Sequence, residues 1–304
     1  MESIEQRIAR VRDDREHGSR WLVRETITLL RDIASDTASI PGERMRYLWS
    51  AGIDLVAARP AMAAIAGAVW RILGAPGDIS SNTAEIDGIA HAAGQLLQTY
   101  ESAVTQITTH TRSLLNGTIM THSLSGTVLD VLTACASQLD GIIVLEGRPR
   151  YEGRTMAEAL SKAGLPITLI TDAQAAIFLP QCAAVVLGAD SILADGGILN
   201  KAGTSLLAWT ARGTNKPFYV LSETLKIAPM RWTANPAQLE EKEATEVLER
   251  PIPGVTARNF YFDHTPGSLV TKLITEQGIL TRSDVKRIAA EVRQAAQRAN
   301  QRFH

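Results

Sequence analysis

From residue 116 onward, short apolar runs alternate with stretches of helical periodicity, and this alternation constrains the chain more than any other feature. The runs are Thr118–Thr121, Gly141–Leu145, Ile167–Ile170, Ala183–Leu187 and Phe218–Leu221, with a weaker one at Ala257–Phe262. Helical spacing occupies 125–138, 153–164, 173–180 and 203–213 between them. Short apolar runs bounded by polar or glycine residues read as strands buried on both faces. The expected architecture is therefore α/β, a parallel sheet covered by helices. Right-handed crossovers put the carboxyl end of every strand along one edge.

That edge is polar. The residues following the runs are His122-Ser123, Glu146-Gly147-Arg148, Thr171-Asp172, Gly188-Ala189-Asp190, Ser222-Glu223 and Asp263-His264. Ligands of open α/β sheets bind beyond the carboxyl ends of the strands. Carboxylates, hydroxyls, Arg148 and Lys201 suit a polar, phosphorylated small molecule. The segment 187–205 concentrates these features: a strand, Asp190, the Gly196-Gly197 turn, then Asn200 and Lys201 before a small-residue helix start. Free N–H groups at a helix amino terminus attract anions, and a lysine adds a full charge. The same stretch also reads as an ordinary strand-to-helix turn with a surface lysine. It is not a Walker loop, because no glycine precedes a Gly-Lys-Ser/Thr at the required gap.

Residues 1–115 read as helices only, with apolar stripes at Ile4, Ile8 and Val11, then Trp21 through Ile33, then 44–57 and 61–73. A long stripe runs through Ile86, Ile89, Leu96, Tyr100, Val104 and Ile107, with Ser81 or Asn82 as its cap. The expected organisation is an all-helical domain over 1–115 and an α/β domain over 116–304 that closes with a helix from Ser283. The acidic segment Leu239–Glu249, and the Lys286, Arg287, Arg293, Arg298 and Arg302 face of the last helix, read as solvated.

A net charge of −1 provides no global basic field for nucleic acid, so none is expected as a partner. The charged stretch Met1–Arg15 is no signal peptide, and the longest apolar run, Ala61–Trp70, is too short to span a bilayer. Two cysteines, Cys135 and Cys182, lack metal or redox spacing. The expectation is a cytoplasmic protein with no metal, no cofactor and no membrane contact.

Several motifs in order resemble the initiation factor 2B alpha/beta/delta family and its sugar-1-phosphate isomerase relatives. Gly188-Ala189-Asp190 with Asp195-Gly196-Gly197-Ile198-Leu199-Asn200-Lys201-Ala202-Gly203-Thr204 is similar to the family's central signature. Asn215 through Val220 and Glu223-Thr224-Leu225-Lys226 resemble its continuation. Met120-Thr121-His122-Ser123, Gly147-Arg148-Pro149 with Glu152-Gly153-Arg154, Arg59-Pro60, and Asn259 through Pro266 resemble further family motifs. The resemblance implies a helical domain joined to a Rossmann-like domain that usually dimerises. For the isomerase branch it implies conversion of ribose 1,5-bisphosphate or methylthioribose 1-phosphate to a ketose. For the alpha-subunit branch it implies a non-catalytic regulatory or scaffold role in translation initiation. The partner is then a phosphorylated sugar or nucleotide-derived small molecule, held by a homo-oligomer.

By the same resemblance the catalytic positions are Ser123 and Asp190. The phosphate contacts are Arg59, Asn200 and Lys201, with Gly18, Ser19 and Arg20 in an amino-terminal loop and Arg148 and Glu152 near the site. Lys226 resembles a lysine of the ribose-bisphosphate branch. Opening a sugar 1-phosphate ring needs an acid, and moving hydrogen from C2 to C1 needs a poised base. A half-buried Asp190 suits such a role. Ser123 departs from the family cysteine: an alcohol without an activating base hydrogen-bonds its ligand rather than exchanging a proton with it. Glu152 places a further carboxylate beside a phosphate, which weakens binding unless Arg148 or Arg154 pairs with it.

Overall fold

The computed structural model describes residues 2–14, 18–60, 62–76, 81–235, 239 and 241–303. In chain order the helices α1 (Ile4–Asp13), α2 (Ser19–Ser35), α3 (Pro41–Ala58), α4 (Ala63–Leu73) and α5 (Asn82–Thr111) come first. Then follow β1 (Gly117–His122), α6 (Gly126–Ala134), β2 (Leu139–Leu145), α7 (Glu152–Lys162), β3 (Ile167–Ile170), α8 (Ala175–Phe178) and β4 (Ala184–Leu187). The chain continues through β5 (Ser191–Ile192), β6 (Ile198–Lys201), α9 (Thr204–Gly213), β7 (Phe218–Leu221), β8 (Phe262–Thr265), β9 (Lys272–Thr275), β10 (Gly278–Leu280) and α10 (Arg282–Phe303).

Two compact units result. The helical one comprises residues 1–103, 225–229 and 286–304; the α/β one comprises 104–224 and 230–285. In the helical unit, Ser3 and Gln6 close a capping box on α1, and Pro41 opens α3. The stripes of α1–α5 pack Leu22, Ile27, Leu30, Leu48, Leu55, Ile65, Ile72 and Ile86 into one core, which also takes in Leu225 and Ala299. Sequence order assigns the last helix to the α/β part, whereas residues 286–304 pack with the helices. Two of its arginines also differ from a solvated face. Arg298 donates to Gly74 O at 2.8 Å, and Arg302 to Leu73 O and Ala75 O at 2.7 and 3.0 Å. They answer the carbonyls that α4 leaves without helical partners. Gly74 is required there, since a Cβ would lie 1.9 Å from Ala295 O.

The α/β unit carries a seven-stranded sheet in the order β10-β9-β7-β4-β1-β2-β3, parallel except for the β9–β10 hairpin. On one face Ile119, Ile142, Val144, Val186 and Ile274 pack against Val128, Val131 and Leu132 of α6 and Met156 and Leu160 of α7. The alternate residues Met120, Ile143, Val185, Val220 and Phe218 are equally buried, which explains why these strands read as continuous apolar runs. From β1 the chain winds outward to β2 and β3, then returns to β4 and winds the other way. The topological switch therefore falls between β1 and β4.

Three elements differ from expectation. Residues 198–201, read as a turn and helix start, form β6 of a second, three-stranded antiparallel sheet, β5-β6-β8. The weak run at 257–262 becomes β8 at 262–265, so Asp263-His264 lie within this small sheet rather than at the edge of the main one. The β9–β10 pair is short and lacks an apolar run of its own.

Candidate functional site

Both sides of the switch point end in backbone that only particular residues tolerate. Ser123, directly after β1, is buried with φ +62°, a left-handed conformation uncommon for a non-glycine residue. Across from it, after β4, Gly188 has no room for a side chain: a Cβ would come within 2.6 Å of Ser125 Oγ, at the cap of α6. Two residues on stands Asp190, half-buried, its N–H donating to Leu199 O at 3.0 Å. Ser123 and Asp190 thus follow the two strands that flank the switch, the place where such sheets bind ligands.

The loop after β2 is fixed by Asp172, from the end of β3. Its carboxylate accepts the N–H groups of Gly147 and Arg148 at 2.9 and 2.8 Å. The Arg148–Pro149 peptide is cis, and Tyr151 takes φ +60° before α7 begins at Glu152. The Arg148 guanidinium lies over the Tyr151 ring and donates to Tyr151 Oη, Pro149 O and Glu246 O. Arg154 pairs with Glu146 at 3.1 Å. Neither arginine meets Glu152. Its partner is Lys201, whose Nζ lies 2.5 Å from Oε1. Burial of Lys201 dictates this choice, because a buried ammonium is tolerated only beside an anion. The Lys201 ammonium also lies over the Tyr261 ring, 4.6 Å from its centre.

Tyr261 is held in turn by Glu246, which accepts from Tyr261 Oη at 2.6 Å and from Asn259 Nδ2 at 2.7 Å. The acidic segment 241–249 is mostly exposed as expected, but Glu246 is not part of the solvated set. Its carboxyl is held below the usual range, chiefly by the Tyr261 hydrogen bond, while burial and Glu246 push the Tyr261 hydroxyl up to about 12.

Two N–H groups at the amino terminus of α9 are already taken by the chain's own carboxylate. Asp263, reached by β6–β8 pairing, accepts from Gly203 N–H at 2.8 Å and from Ser205 N–H at 3.0 and 3.1 Å. Burial nonetheless pushes its carboxyl up to about 6. Asn200, buried in β6, donates to Thr204 Oγ1 at 2.9 Å, and Thr204 donates back to Lys201 O. On the other side of the same turn, His122 contacts Ala202 O at 2.9 Å through Nε2. A carbonyl only accepts, so Nε2 carries the proton in this contact and Nδ1 is left with none in the neutral ring. Nδ1 is buried without a hydrogen-bond partner, 3.7 Å from Asp172 Oδ1. Burial holds this imidazole below its ordinary pKa. Gly203, at φ +106°, leaves space for the ring: a Cβ would lie 3.0 Å from Nε2.

The α/β unit therefore brings Ser123, Arg148, Glu152, Asp190, Asn200 and Lys201 to strand ends or their loops. Sequence reasoning did not single out His122, Asp172, Tyr261 or Asp263 as members of the arrangement. Asp172 and Asp263 were visible only as polar residues after strands, and Tyr261 only within a motif. The remaining candidates belong to the helical unit. Gly18 precedes α2, and Ser19 and Arg20 form its first turn. Arg59 ends α3 and donates its guanidinium to Val11 O and Asp14 O. Lys226 is buried beside Leu225 and Ile227. Both cysteines are buried, and burial pushes the Cys182 thiol up to about 11, so neither substitutes for a reactive thiol at position 123. Among the described residues, no group of three or more His, Cys, Asp or Glu is placed to hold a metal, and no helix is long and apolar enough to cross a membrane.

A helical unit followed by a Rossmann-like sheet, with polar residues at the strand ends beside the switch point, defines a two-unit α/β protein. The sequence profile of the initiation factor 2 subunit family matches residues 15–282, and the chain belongs to that family. It is 36% identical over 167 residues to ribose 1,5-bisphosphate isomerase of Archaeoglobus fulgidus, covering 54% of this chain and 53% of that protein. It is also 36% identical over 166 residues to a putative translation initiation factor eIF-2B subunit 2-like protein of Pyrococcus furiosus, covering 53% and 57%. The chain thus spans about half the length of the curated relatives it matches. Among solved structures, the translation initiation factor eIF-2B of Pyrococcus horikoshii superposes with a TM-score of 0.74 at 27% identity, over 91% of this chain and 96% of that one. The 5-methylthioribose 1-phosphate isomerase of the same organism gives 0.72 at 25%, over 95% and 87%.

Proposed function

We propose that the chain is a sugar-phosphate-binding protein of the aldose-to-ketose isomerase type, acting on a phosphorylated aldose such as ribose 1,5-bisphosphate and working as a homo-oligomer in the cytoplasm. The observation that carries this reading is the buried Lys201 ammonium, near enough to His122 at the end of β1 to act on it electrostatically, in a chain similar to ribose 1,5-bisphosphate isomerase. A phosphate monoester supplies the charge that such an ammonium holds, and Asn200 and Arg148 stand in the neighbouring segments. In the reaction, protonation of the ring oxygen opens the sugar. A hydrogen then moves from C2 to C1, and the C2 hydroxyl loses its proton to become the ketone. Proton uptake and release balance, so no external oxidant or reductant takes part. Asp190 is assigned the proton exchange, and Ser123 a hydrogen bond to a sugar hydroxyl, since an alcohol is too weak an acid to replace the family's thiol. The test is incubation of the purified protein with ribose 1,5-bisphosphate, followed by NMR. Ketose formation that Asp190→Asn abolishes supports the isomerase; absence of both turnover and binding refutes the reading.

A second reading, a non-catalytic regulatory subunit of the initiation-factor kind, is favoured by two features of the same site. Lys201 already carries the Glu152 carboxylate, and position 123 holds no thiol. Ligand binding without turnover, together with a stoichiometric protein partner recovered from native lysate, supports this alternative.

A further inference from the structure

We infer that Glu152 is a displaceable internal occupant of the Lys201 anion site, selecting phosphate dianions over singly charged anions. The inference rests on the reading of Lys201 as an anion contact. Lys201 has a side chain only 10% exposed, with Glu152 Oε1 at 2.5 Å and the centre of the Tyr261 ring at 4.6 Å. An ammonium so enclosed keeps an anion beside it, and the chain supplies that anion itself.

Glu152 is held incompletely. Its Oε2 is buried with no hydrogen-bond partner. A carboxylate oxygen out of water and unpaired is destabilising, so the Glu152–Lys201 contact stands well short of the best that Lys201 can make. The three arginines nearest in sequence do not relieve it, because Arg148 is directed at Tyr151 and Glu246, Arg150 at Tyr261 and Glu246, and Arg154 at Glu146. The backbone under Glu152, by contrast, is fixed. Tyr151 N–H donates to Gly147 O at 2.7 Å and Gly153 N–H to Glu146 O at 3.0 Å. A Cβ on Gly153 would lie 1.9 Å from Leu145 O, so the first turn of α7 sits directly on the end of β2. Release of Lys201 is therefore a rotamer change of one side chain, which at 27% exposure already borders solvent.

The selectivity follows from charge and tethering. Glu152 is attached to the fold and competes at a high effective concentration, on the order of millimolar or above. A free carboxylate or phosphodiester brings the same single charge and gains nothing by replacing it. A phosphate monoester brings nearly twice the charge and three acceptor oxygens, and displaces it.

The test measures binding of inorganic phosphate and of formate by calorimetry to the full chain, its Glu152→Gln variant and the Glu152→Gln/Lys201→Met double variant. The expected result is phosphate binding roughly tenfold or more tighter in Glu152→Gln, from loss of a partly buried competing charge. Formate binding appears in that variant alone, and the double variant loses both gains. Unchanged or weaker phosphate binding in Glu152→Gln, or a gain that survives loss of Lys201, overturns the inference. Glu152→Ala serves the same comparison if the glutamine variant does not fold. Ribose 1,5-bisphosphate, titrated in parallel, separates the two proposals. A phosphate gain with no sugar-phosphate binding in any variant supports the internal occupant and refutes the sugar-phosphate reading. Sugar-phosphate binding by the unaltered chain without a phosphate gain in Glu152→Gln does the reverse.

Discussion

Two carboxylates of the α/β unit, Asp263 and Glu152, stand where sequence reasoning expects a ligand's anion, and they are satisfied to very different degrees. Asp263 occupies the amino terminus of α9 with both oxygens engaged by backbone N–H groups. Glu152 meets Lys201 with one oxygen and leaves the other buried without a hydrogen bond. The first arrangement is a helix cap made from a distant strand, with neither carboxylate oxygen left over. The second is an ion pair that leaves one carboxylate oxygen unused. Anion-attracting features in a fold are thus not all vacancies for ligands. How completely the chain's own acid fills each one is what sets the proposed site at Lys201 apart from the cap at α9.

The comparison is broken most directly by removing Lys201. Lys201→Met leaves the Glu152 charge facing an apolar enclosure, with an expected loss of about 3 kcal/mol in urea denaturation, the low end for a disrupted buried pair because Glu152 is partly exposed. Adding Glu152→Gln to that variant is expected to restore most of the loss. If the two substitutions simply add, the pair is not a pair. The next largest effect belongs to Asp263→Asn, expected to lower stability by about 1–2 kcal/mol through loss of the cap. Faster hydrogen exchange at Ser205 and the first turn of α9 locates the damage. The pH dependence has a definite sign. The folded-state pKa of about 6 lies above the ordinary 3.8, so the folded chain binds the extra proton between those values. The stability linked to protonation of Asp263 is full below pH 4 and is lost as pH rises through 6. The difference between the unaltered chain and Asp263→Asn is therefore expected to shrink from pH 4 to pH 7, and a constant difference refutes the assignment.

The contrast also marks what the sequence makes legible. β1, β2, β4 and β7 announce themselves because both faces are largely buried, which turns them into apolar runs such as Ile142–Leu145, whereas β3, at the sheet edge, exposes Thr168 and Leu169. The strand ends after them are equally readable, which is why Ser123, Arg148 and Asp190 can be placed at the edge from sequence. Residues 198–201 conceal β6 because Asn200 and Lys201 are polar yet buried, their needs met by Thr204 and Glu152. No periodicity encodes such partners. Likewise Asp263 caps a helix that begins 59 residues before it, Thr204, only because β8 pairs with β6. The arginines of α10 look solvated on a helical projection, since nothing local tells that Arg298 and Arg302 meet the end of α4. What is long-range and polar is the part that the chain's local pattern does not carry.

The finest test of the contrast is His122, because it grips from one side the turn that Asp263 grips from the other. His122 bonds Ala202 O while Asp263 accepts from Gly203 N–H, so both hold residues 202–203. Their linkage to pH has opposite sign. Burial holds the folded-state pKa of His122 below 6.5, despite the nearby Asp172 carboxylate. The unfolded chain then binds the proton first as pH falls, and the stability present above about pH 6.5 is lost on going lower. His122→Gln keeps an N–H donor for Ala202 O but carries no titrating ring. It is expected to change stability by about 1 kcal/mol or less at pH 7.5 and to gain on the unaltered chain as pH falls toward 5. Denaturation midpoints at pH 7.5 and 5 measure this directly. A His122→Gln difference that moves the other way would mean that Asp172 stabilises a charged imidazole in the fold, with Nε2–H still donating to Ala202 O. The Asp263→Asn and His122→Gln profiles, measured in the same buffers, should diverge with opposite slopes, because one group gains its proton on folding and the other gives it up.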